Sequence, residues 1–265
     1  VSAERAEIFK KARAMIRPES FPTPFCAGCG HGILMHAILR AVAGAELDMN
    51  KMLFASGIGC AAWIPSPHFK ADTLHTTHGR AIPFATGAKA VNPELEIVVI
   101  SGDGDLASIG GNHFIHAARR RMPMTVICAN NFIYGMTGGQ VAATTPPECR
   151  TATTPEGNRE RPFNLAHLAW AAGADFVARA TVSNPMGLER VILRALKEPG
   201  FRFVDVLSTC PTQFGRRSGA GDAKEMLEYL KTHTKSGDLM EEFAGKTEAG
   251  VLTLGEISRS GRIEK

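Results

Sequence analysis

Between Leu95 and Gln140 the chain reads L-E-I-V-V-I-S-G-D-G-D-L-A-S-I-G-G-N-H-F-I-H-A-A-R-R-R-M-P-M-T-V-I-C-A-N-N-F-I-Y-G-M-T-G-G-Q. This order of residue types leaves little choice of fold. Ile97 to Ile100 form an apolar, β-branched run that stops at Gly102-Asp103-Gly104-Asp105, as a buried parallel strand entering a tight turn does. Residues 106 to 121 then carry Ile109, Phe114, Ile115 and Ala118 at helical spacing. Arg119, Arg120 and Arg121 fall in the last turn, where cations suit the helix dipole, and Pro123 stops the helix. A second run, Thr125 to Cys128, leads into Asn130-Asn131 and the loop Tyr134 to Gln140. The segment is a βαβ unit.

A parallel βαβ unit places its two strand ends side by side, so the loops after Ile100 and Cys128 meet at one edge of the sheet. Asp103 is therefore expected to face Asn131. A carboxylate and an amide oxygen beside chain-permissive glycines are hard ligands for a cation such as Mg²⁺, which prefers to share its shell with phosphate oxygens. Alone, Gly-Asp-Gly-Asp is an ordinary turn. Here it follows a strand, opens a helix and is answered by an Asn pair.

The rest of the chain repeats the alternation. Residues 3 to 16 predict a short amphipathic helix ended by Pro18, and residues 33 to 43 predict a buried one. Strands are expected at Met52 to Ala55, Phe176 to Arg179 and Phe201 to Leu207, with helices at Ile82 to Ala90, after Phe163-Asn164, and at Pro185 to Lys197. This pattern predicts a doubly wound α/β domain around a parallel sheet of about six strands. The Thr- and Pro-rich stretch from Ala143 to Pro162 lacks periodicity, and loops of that length are usually functional or disordered. Residues 1–217 are expected to form this domain. Residues 218–265 are a more polar extension with one amphipathic helix, Ala223 to His233, which reads either as a frayed terminus or as a surface for a partner subunit.

Lys+Arg 30 against Asp+Glu 26 gives a net charge of +4, which suits anionic ligands without a basic stripe for nucleic acid. No run approaches the ~20 apolar residues of a membrane span, and Glu4, Glu7, Lys10 and Lys11 do not read as a signal peptide. A cytoplasmic location is expected. In that compartment six cysteines point to metal or redox work before disulfides. Cys26-Ala27-Gly28-Cys29 at a Gly-rich helix entry fits a redox pair, half of a zinc site or half of an iron-sulfur site. A redox pair of the thioredoxin type needs its own preceding strand, which Pro22 to Phe25 does not supply. Cys60 and Cys210 each lie just past an expected strand, where parallel sheets gather their sites. Four thiolates so placed can enclose Zn²⁺ or a [4Fe-4S] cluster, and spacing does not choose between them. Cys128 and Cys149 read as bystanders.

Gly102-Asp103-Gly104 followed by Asn130-Asn131 resembles the diphosphate-binding motif of thiamine diphosphate enzymes. More closely, G-D-G-D-L-A-S-I-G-G-N-H-F-I-H-A-A-R-R and N-N-F-I-Y-G-M-T-G-G-Q resemble the beta subunit of 2-oxoacid:ferredoxin oxidoreductases, in the 2-oxoglutarate branch, and the likeness runs from about Phe25 to Arg217. The resemblance implies the diphosphate-type thiamine diphosphate fold, with Asp103, Asn131 and the Ile133 carbonyl holding Mg²⁺. It implies cofactor contacts at Gly102, Gly104, Asp105, Leu106 and Thr137, with Asp105 orienting the loop, and places His78 and Arg80 of H-G-R beside the cofactor as catalytic candidates. It also breaks the tie among the cysteines, implying that Cys26, Cys29, Cys60 and Cys210 bind one [4Fe-4S] cluster. The activity implied is oxidative decarboxylation of a 2-oxoacid to an acyl-CoA, with coenzyme A as cosubstrate and ferredoxin as electron acceptor. Only one α/β domain is evident, so the pyrimidine-binding domain is expected on an alpha subunit and the chain alone should be inactive. Some relatives have T-K-G-Q where this chain has Thr137-Gly138-Gly139-Gln140, a lysine that would read a distal carboxylate of the substrate. The competing readings are a non-oxidative thiamine diphosphate decarboxylase or carboligase with zinc or nothing on the cysteines, and a non-catalytic cluster carrier.

Overall fold

The apolar runs assemble as parallel strands because only helices on both faces can cover residues that are hydrophobic on both sides. The computed structural model describes residues 3–259. The strands are β1 Met52–Ser56, β2 Asp72–His75, β3 Glu96–Gly102, β4 Met124–Asn130, β5 Ile133–Tyr134, β6 Gln140–Val141, β7 Phe176–Thr181, β8 Phe201–Leu207, β9 Thr234–Ser236 and β10 Leu252–Ser258. The helices are α1 Ala3–Ala14, α2 His31–Gly44, α3 Ala81–Val91, α4 Gly111–Arg119, α5 Leu165–Ala171, α6 Pro185–Lys197, α7 Arg216–Ser218, α8 Ala223–Thr232 and α9 Leu239–Phe243. Eight strands form one sheet in the order β2-β1-β3-β4-β8-β7-β10-β9, and β5-β6 form a small hairpin. The six strands from β2 to β7 are all parallel, whereas β10 joins antiparallel to β7.

Alternation along the strands divides the core. Val98 and Ile100 of β3 face a cluster built with α1, α2, α6 and α8. Ile97 and Val99 face the opposite cluster with α3, α4, α5 and α9. From β1 the chain turns outward to β2 and then returns to the other side of β1 as β3. The loops after β1 and β3 therefore diverge, opening a crevice at the carboxyl ends of the strands, which is where open α/β sheets bind ligands.

Three features differ from the sequence expectation. The sheet has eight strands rather than about six; β2 is a short, polar edge strand, and β9 and β10 come from the segment after residue 217, where only the helix at α8 was expected. The helix over residues 106 to 121 is broken: Gly104–Ile109 forms a π-helical turn, and α4 begins only at Gly111. A side chain at Gly110 would collide with the Asp105 and Leu106 carbonyls, so the wide turn is possible only because glycine stands there. Arg121 lies past the helix with φ 52° and pairs with the buried Asp175. Among the described residues no helix is long and apolar enough to cross a membrane.

Candidate active site

Four strand ends converge on one cleft. Level registers at Ser56 with Ile100, Gly102 with Ala129 and Asn130 with Leu207 bring the loops after β1, β3, β4 and β8 together. The cleft is lined by His31, Cys60, His78, Asp103, Asp105 and Asn131, among others. It is only about 80 Å³, whereas sites that enclose a cofactor usually measure ~300–1,000 Å³. Cavities of about 810 Å³ between α1 and α2 and about 500 Å³ beneath the C-terminal segment are larger; the first is mostly apolar and basic, and in the second the polar lining groups Asn130, Asn164, Arg179 and Asp205 are already paired with one another.

Asp103 is 1% exposed, and burial pushes its carboxyl up to about 7, against hydrogen bonds that favour the charged form. Thr144 Oγ1 donates to its Oδ2. On the other side, the Asn131 side-chain oxygen lies 3.2 Å from Asp103 Oδ1 and 2.8 Å from the Ile133 carbonyl oxygen. Turned over, the Asn131 amide donates from its nitrogen to Asp103 Oδ1 and to the Ile133 carbonyl, which satisfies both acceptors when no cation is present. A bound cation would require the other orientation, whose 3.2 and 2.8 Å oxygen spacings match the ~3 Å edges of an octahedron with metal–oxygen bonds of ~2.1 Å. Burial of a carboxylate with no cationic side chain against it, next to two neutral oxygens, fits a divalent cation better than it fits an apolar core.

Asp105 does a different job. Its Oδ1 accepts from the Ile58 and Gly79 amides at 3.1 and 2.7 Å and contacts His78 Nδ1 at 2.5 Å, while Oδ2 accepts from Ser101 Oγ at 2.5 Å. One carboxylate thereby ties the loop after β1, the H-G-R segment and the end of β3 together. A side chain at position 57 would run into this carboxylate, so glycine there is a requirement of close approach. An ionised carboxylate only accepts, which puts the shared proton on His78 Nδ1 and leaves Nε2 as the free ring nitrogen. Arg80 Nη1 donates to the Gly79 and Ile109 carbonyls, bracing the π-helical turn. Tyr134 donates from its hydroxyl to the Gly104 carbonyl at 3.0 Å. Thr137 is exposed and donates to Gln140 Oε1 at 2.6 Å, closing the T-G-G-Q turn. Gly138 has open space around it but a φ of 112°, a conformation that disfavours any side chain there.

Beside this group lie the four thiols. Cys26 is exposed, Cys29 and Cys60 are half-buried and Cys210 is buried; none is in a disulfide. The Sγ atoms of Cys210 and Cys60 lie 3.6 and 3.7 Å from the point where a Gly135 Cβ would sit, so both pack against this glycine. Burial, with smaller repulsion from the Cys210, Cys60 and Cys26 sulfurs, pushes the Cys29 thiol up to about 12. Burial likewise pushes Cys60 up to about 11. Yet among the described residues no three His, Cys, Asp or Glu side chains are placed to hold a metal ion. The Cys29 thiol nevertheless lies close enough to the Cys210, Cys60 and Cys26 thiols to interact with all three. Cys128 is buried within β4 and Cys149 sits half-buried in the long loop, both raised by burial.

Residues 57–206 match the family of thiamine pyrophosphate enzymes, C-terminal TPP binding domain. A 2-oxoglutarate synthase subunit KorB from Methanothermobacter thermautotrophicus is 48% identical over 83% of this chain and 76% of the relative. Its namesake from Methanocaldococcus jannaschii is 45% identical over 86% and 85%. A solved 2-oxoglutarate:ferredoxin oxidoreductase from Magnetococcus marinus, with 2-oxoglutarate, coenzyme A and succinyl-CoA bound, superposes with a TM-score of 0.84 at 32% identity, covering 94% of this chain and 84% of that one. The chain belongs to the 2-oxoacid:ferredoxin oxidoreductase beta subunits. As an oxidoreductase beta subunit it carries the thiamine diphosphate-binding domain and works with a partner subunit.

Within that family framework, four contributors to the site were not among the sequence candidates. Thr144 lies in the long loop, Ser101 inside β3, and Tyr134 beside the loop glycines. His31 is 1% exposed, and burial alone lowers it to about 4, so it is neutral at physiological pH. The unpatterned Thr-Pro composition of residues 143 to 162 signalled a functional loop, but not which threonine reaches Asp103.

Proposed function

We propose that this chain is the beta subunit of a coenzyme A-dependent 2-oxoglutarate:ferredoxin oxidoreductase. The reaction converts the 2-oxoacid and coenzyme A to an acyl-CoA and CO₂, and two electrons leave through a [4Fe-4S] cluster to ferredoxin. The observation that carries this reading is the convergence of Asp103, Asn131 and the Ile133 carbonyl in a cleft that Cys60 also lines, with the Cys26, Cys29 and Cys210 thiols interacting beside it. The names of the KorB relatives and the ligands of the solved relative support the choice of 2-oxoglutarate and coenzyme A.

Asp103, Asn131 and the Ile133 carbonyl would hold Mg²⁺ against a diphosphate, and the amides of Gly104 to Leu106 would add donors at the start of the turn. Cys26, Cys29, Cys60 and Cys210, whose thiols interact with one another, would hold the cluster as thiolates. When bound, thiamine diphosphate would supply the nucleophile and electron sink that decarboxylation of a 2-oxoacid needs, and a cluster on the four cysteines would supply one-electron transfer. The chain's own part is orientation and proton control. Asp105 fixes the two loops flanking the cleft and presents His78 Nε2 as a group able to accept or hold a proton. His31, held neutral by burial, lines the same cleft without adding charge.

The small volume of the cleft supports a split site, with the aminopyrimidine held by the alpha subunit. Reconstitution tests the whole reading. Coenzyme A-dependent oxidation of 2-oxoglutarate with an artificial electron acceptor should require both chains and should produce an acyl-CoA. Full turnover by this chain alone, or CO₂ release without reduction of the acceptor, would refute it.

A further inference from the structure

Strand alternation places three polar side chains on one face of the sheet, directly above Cys128, Phe203 and Val177 of the core: Asn130 at the end of β4, Asp205 on β8 and Arg179 on β7. All are at most 4% exposed. Asn130 Nδ2 donates to Asp205 Oδ1 at 3.0 Å, and Arg179 Nε donates to Asp205 Oδ2 at 3.1 Å. The other nitrogens of Arg179 reach Glu242 at 2.7 and 2.9 Å, Asn164 Oδ1 at 2.6 Å and the Thr253 carbonyl at 3.2 Å. Glu242 in turn accepts from Asn164 Nδ2 and from the Thr253 amide. The network thus starts on α9 and β10, beyond the segment that matches the thiamine pyrophosphate family, and ends one residue before Asn131.

Its end has a defined task. Phe132, between the two candidate ligands Asn131 and Ile133, has a φ of 64°, which a bulky residue rarely adopts. Both of its peptide groups are clamped: its amide donates to Asn130 Oδ1 at 3.3 Å, and its carbonyl accepts from Thr145 Oγ1 at 2.6 Å. Asn130 can present its oxygen to Phe132 only if its nitrogen points the other way. Asp205 enforces that, since a carboxylate accepts and cannot donate. Arg179 fixes Asp205, and Glu242 with Asn164 fixes Arg179. Charge is not needed here for stability, because apolar residues often replace buried ion triads without loss. What a charged, fully bonded row supplies is a single orientation.

We propose that the buried row Glu242–Arg179–Asp205–Asn130 is a positioning device that sets the Asn131 and Ile133 oxygens at cation-binding spacing, so that the C-terminal segment controls Mg²⁺ affinity at the opposite end of the row. This rests on the reading that those oxygens hold Mg²⁺. In Asp205→Asn, the residue-205 amide must turn its oxygen to Arg179 and its nitrogen to Asn130. The Asn130 amide then flips and sets a donor against the Phe132 N–H. Outer-shell losses of this kind typically cost about 10- to 100-fold in metal affinity.

The test uses the complex with the partner subunit, depleted of cofactor with EDTA and titrated with Mg²⁺ in the presence of thiamine diphosphate, with binding followed by calorimetry. Asp205→Asn and Asn130→Ala should each raise the Mg²⁺ needed for half-saturation about 10-fold or more. The double variant should be no worse than either single one, because both break the same link. Glu242→Gln, which keeps the shape and loses the charge, should move the titration in the same direction by less, and it carries the test if Asp205→Asn does not fold. Asp175→Asn is the control: Asp175 accepts from Arg121 Nε and the Phe201 amide at the other end of these strands, so its loss should lower the melting temperature and leave the titration unchanged. A lowered melting temperature with an unchanged Mg²⁺ requirement in Asp205→Asn and Glu242→Gln would overturn the inference while leaving the metal site standing. An unchanged requirement in Asn131→Ala would overturn the metal assignment, and the inference with it.

Discussion

Replacing Asp103 by Asn should make the metal-free protein more stable and unable to bind its cofactor. The native carboxyl is lifted from 3.8 to about 7, chiefly by burial, so the native chain holds this proton more tightly than the unfolded chain does. With a raised value, the group's contribution is most favourable at low pH and is lost as pH rises from about 4 through about 7. Asn has no proton to lose. Between pH 5 and pH 8 about 2 pH units of that linkage remain, so the stability of Asp103→Asn relative to wild type should improve by ~3 kcal/mol across the interval. Urea unfolding of the EDTA-treated chain at the two pH values measures it. Adding Mg²⁺ and thiamine diphosphate at about 100 times their dissociation constants should then stabilise wild type by ~2.7 kcal/mol and the variant not at all. A pH-independent difference would show that Asp103 is not a strained, cation-awaiting carboxylate. Cofactor-dependent stabilisation of the variant would show that it is not a ligand.

Thr144→Val removes a hydrogen bond that favours the charged form of Asp103, so protons should compete with Mg²⁺ up to a higher pH; titrating Mg²⁺ binding against pH should show the midpoint moving upward. Asp105→Ala strips the acceptor from Ile58, Gly79, His78 and Ser101 at once, and with ~1–3 kcal/mol for each buried polar group left unpaired it should cost several kcal/mol in chemical unfolding. A loss below ~0.5 kcal/mol would mean that the carboxylate does not hold these loops. Cys60→Ser or Cys210→Ser should lower iron content and reductase activity together in anaerobically purified protein, whereas Cys149→Ser should change neither; an iron-replete, active Cys210→Ser protein would break the cysteine assignment.

The strands with apolar, largely buried runs were legible in the sequence, because hydrophobic pattern specifies β1, β3, β4, β7 and β8. Their order in the chain is enough to set Asp103 opposite Asn131. What was not legible depends on distant partners. Leu252 to Ser258 has few strand-forming features of its own and becomes β10 because β7 offers it an edge. Arg179 looks like the end of a strand, and only the folded sheet shows it surrounded by Asp205, Glu242 and Asn164. The π-helical turn at Gly104 to Ile109 arises from crowding around Gly79, Gly110 and Asp105, which no local periodicity encodes. Thr144 reaches Asp103 across 41 positions. Sequence pattern finds the scaffold and the residues at its strand ends, but the side chains that tune them come from loops whose path only packing decides.

The four thiols come from loops at the start, the first third and the last quarter of the chain, and they meet only when β8 has joined β4. At ~5–20 residues per second, a ribosome takes roughly 10–35 s to pass from Cys29 to Cys210. For about 8–30 s of that interval, while the 150 residues from Cys60 to Cys210 are made, a nascent chain carries Cys26, Cys29 and Cys60 without their fourth companion. Parallel pairing between segments far apart in sequence is also intrinsically slow. Biogenesis therefore has an order imposed by topology: the sheet closes first, and whatever the thiols hold is delivered afterwards to a folded acceptor. Until delivery, the exposed Cys26 is the thiol of the four most open to oxidation.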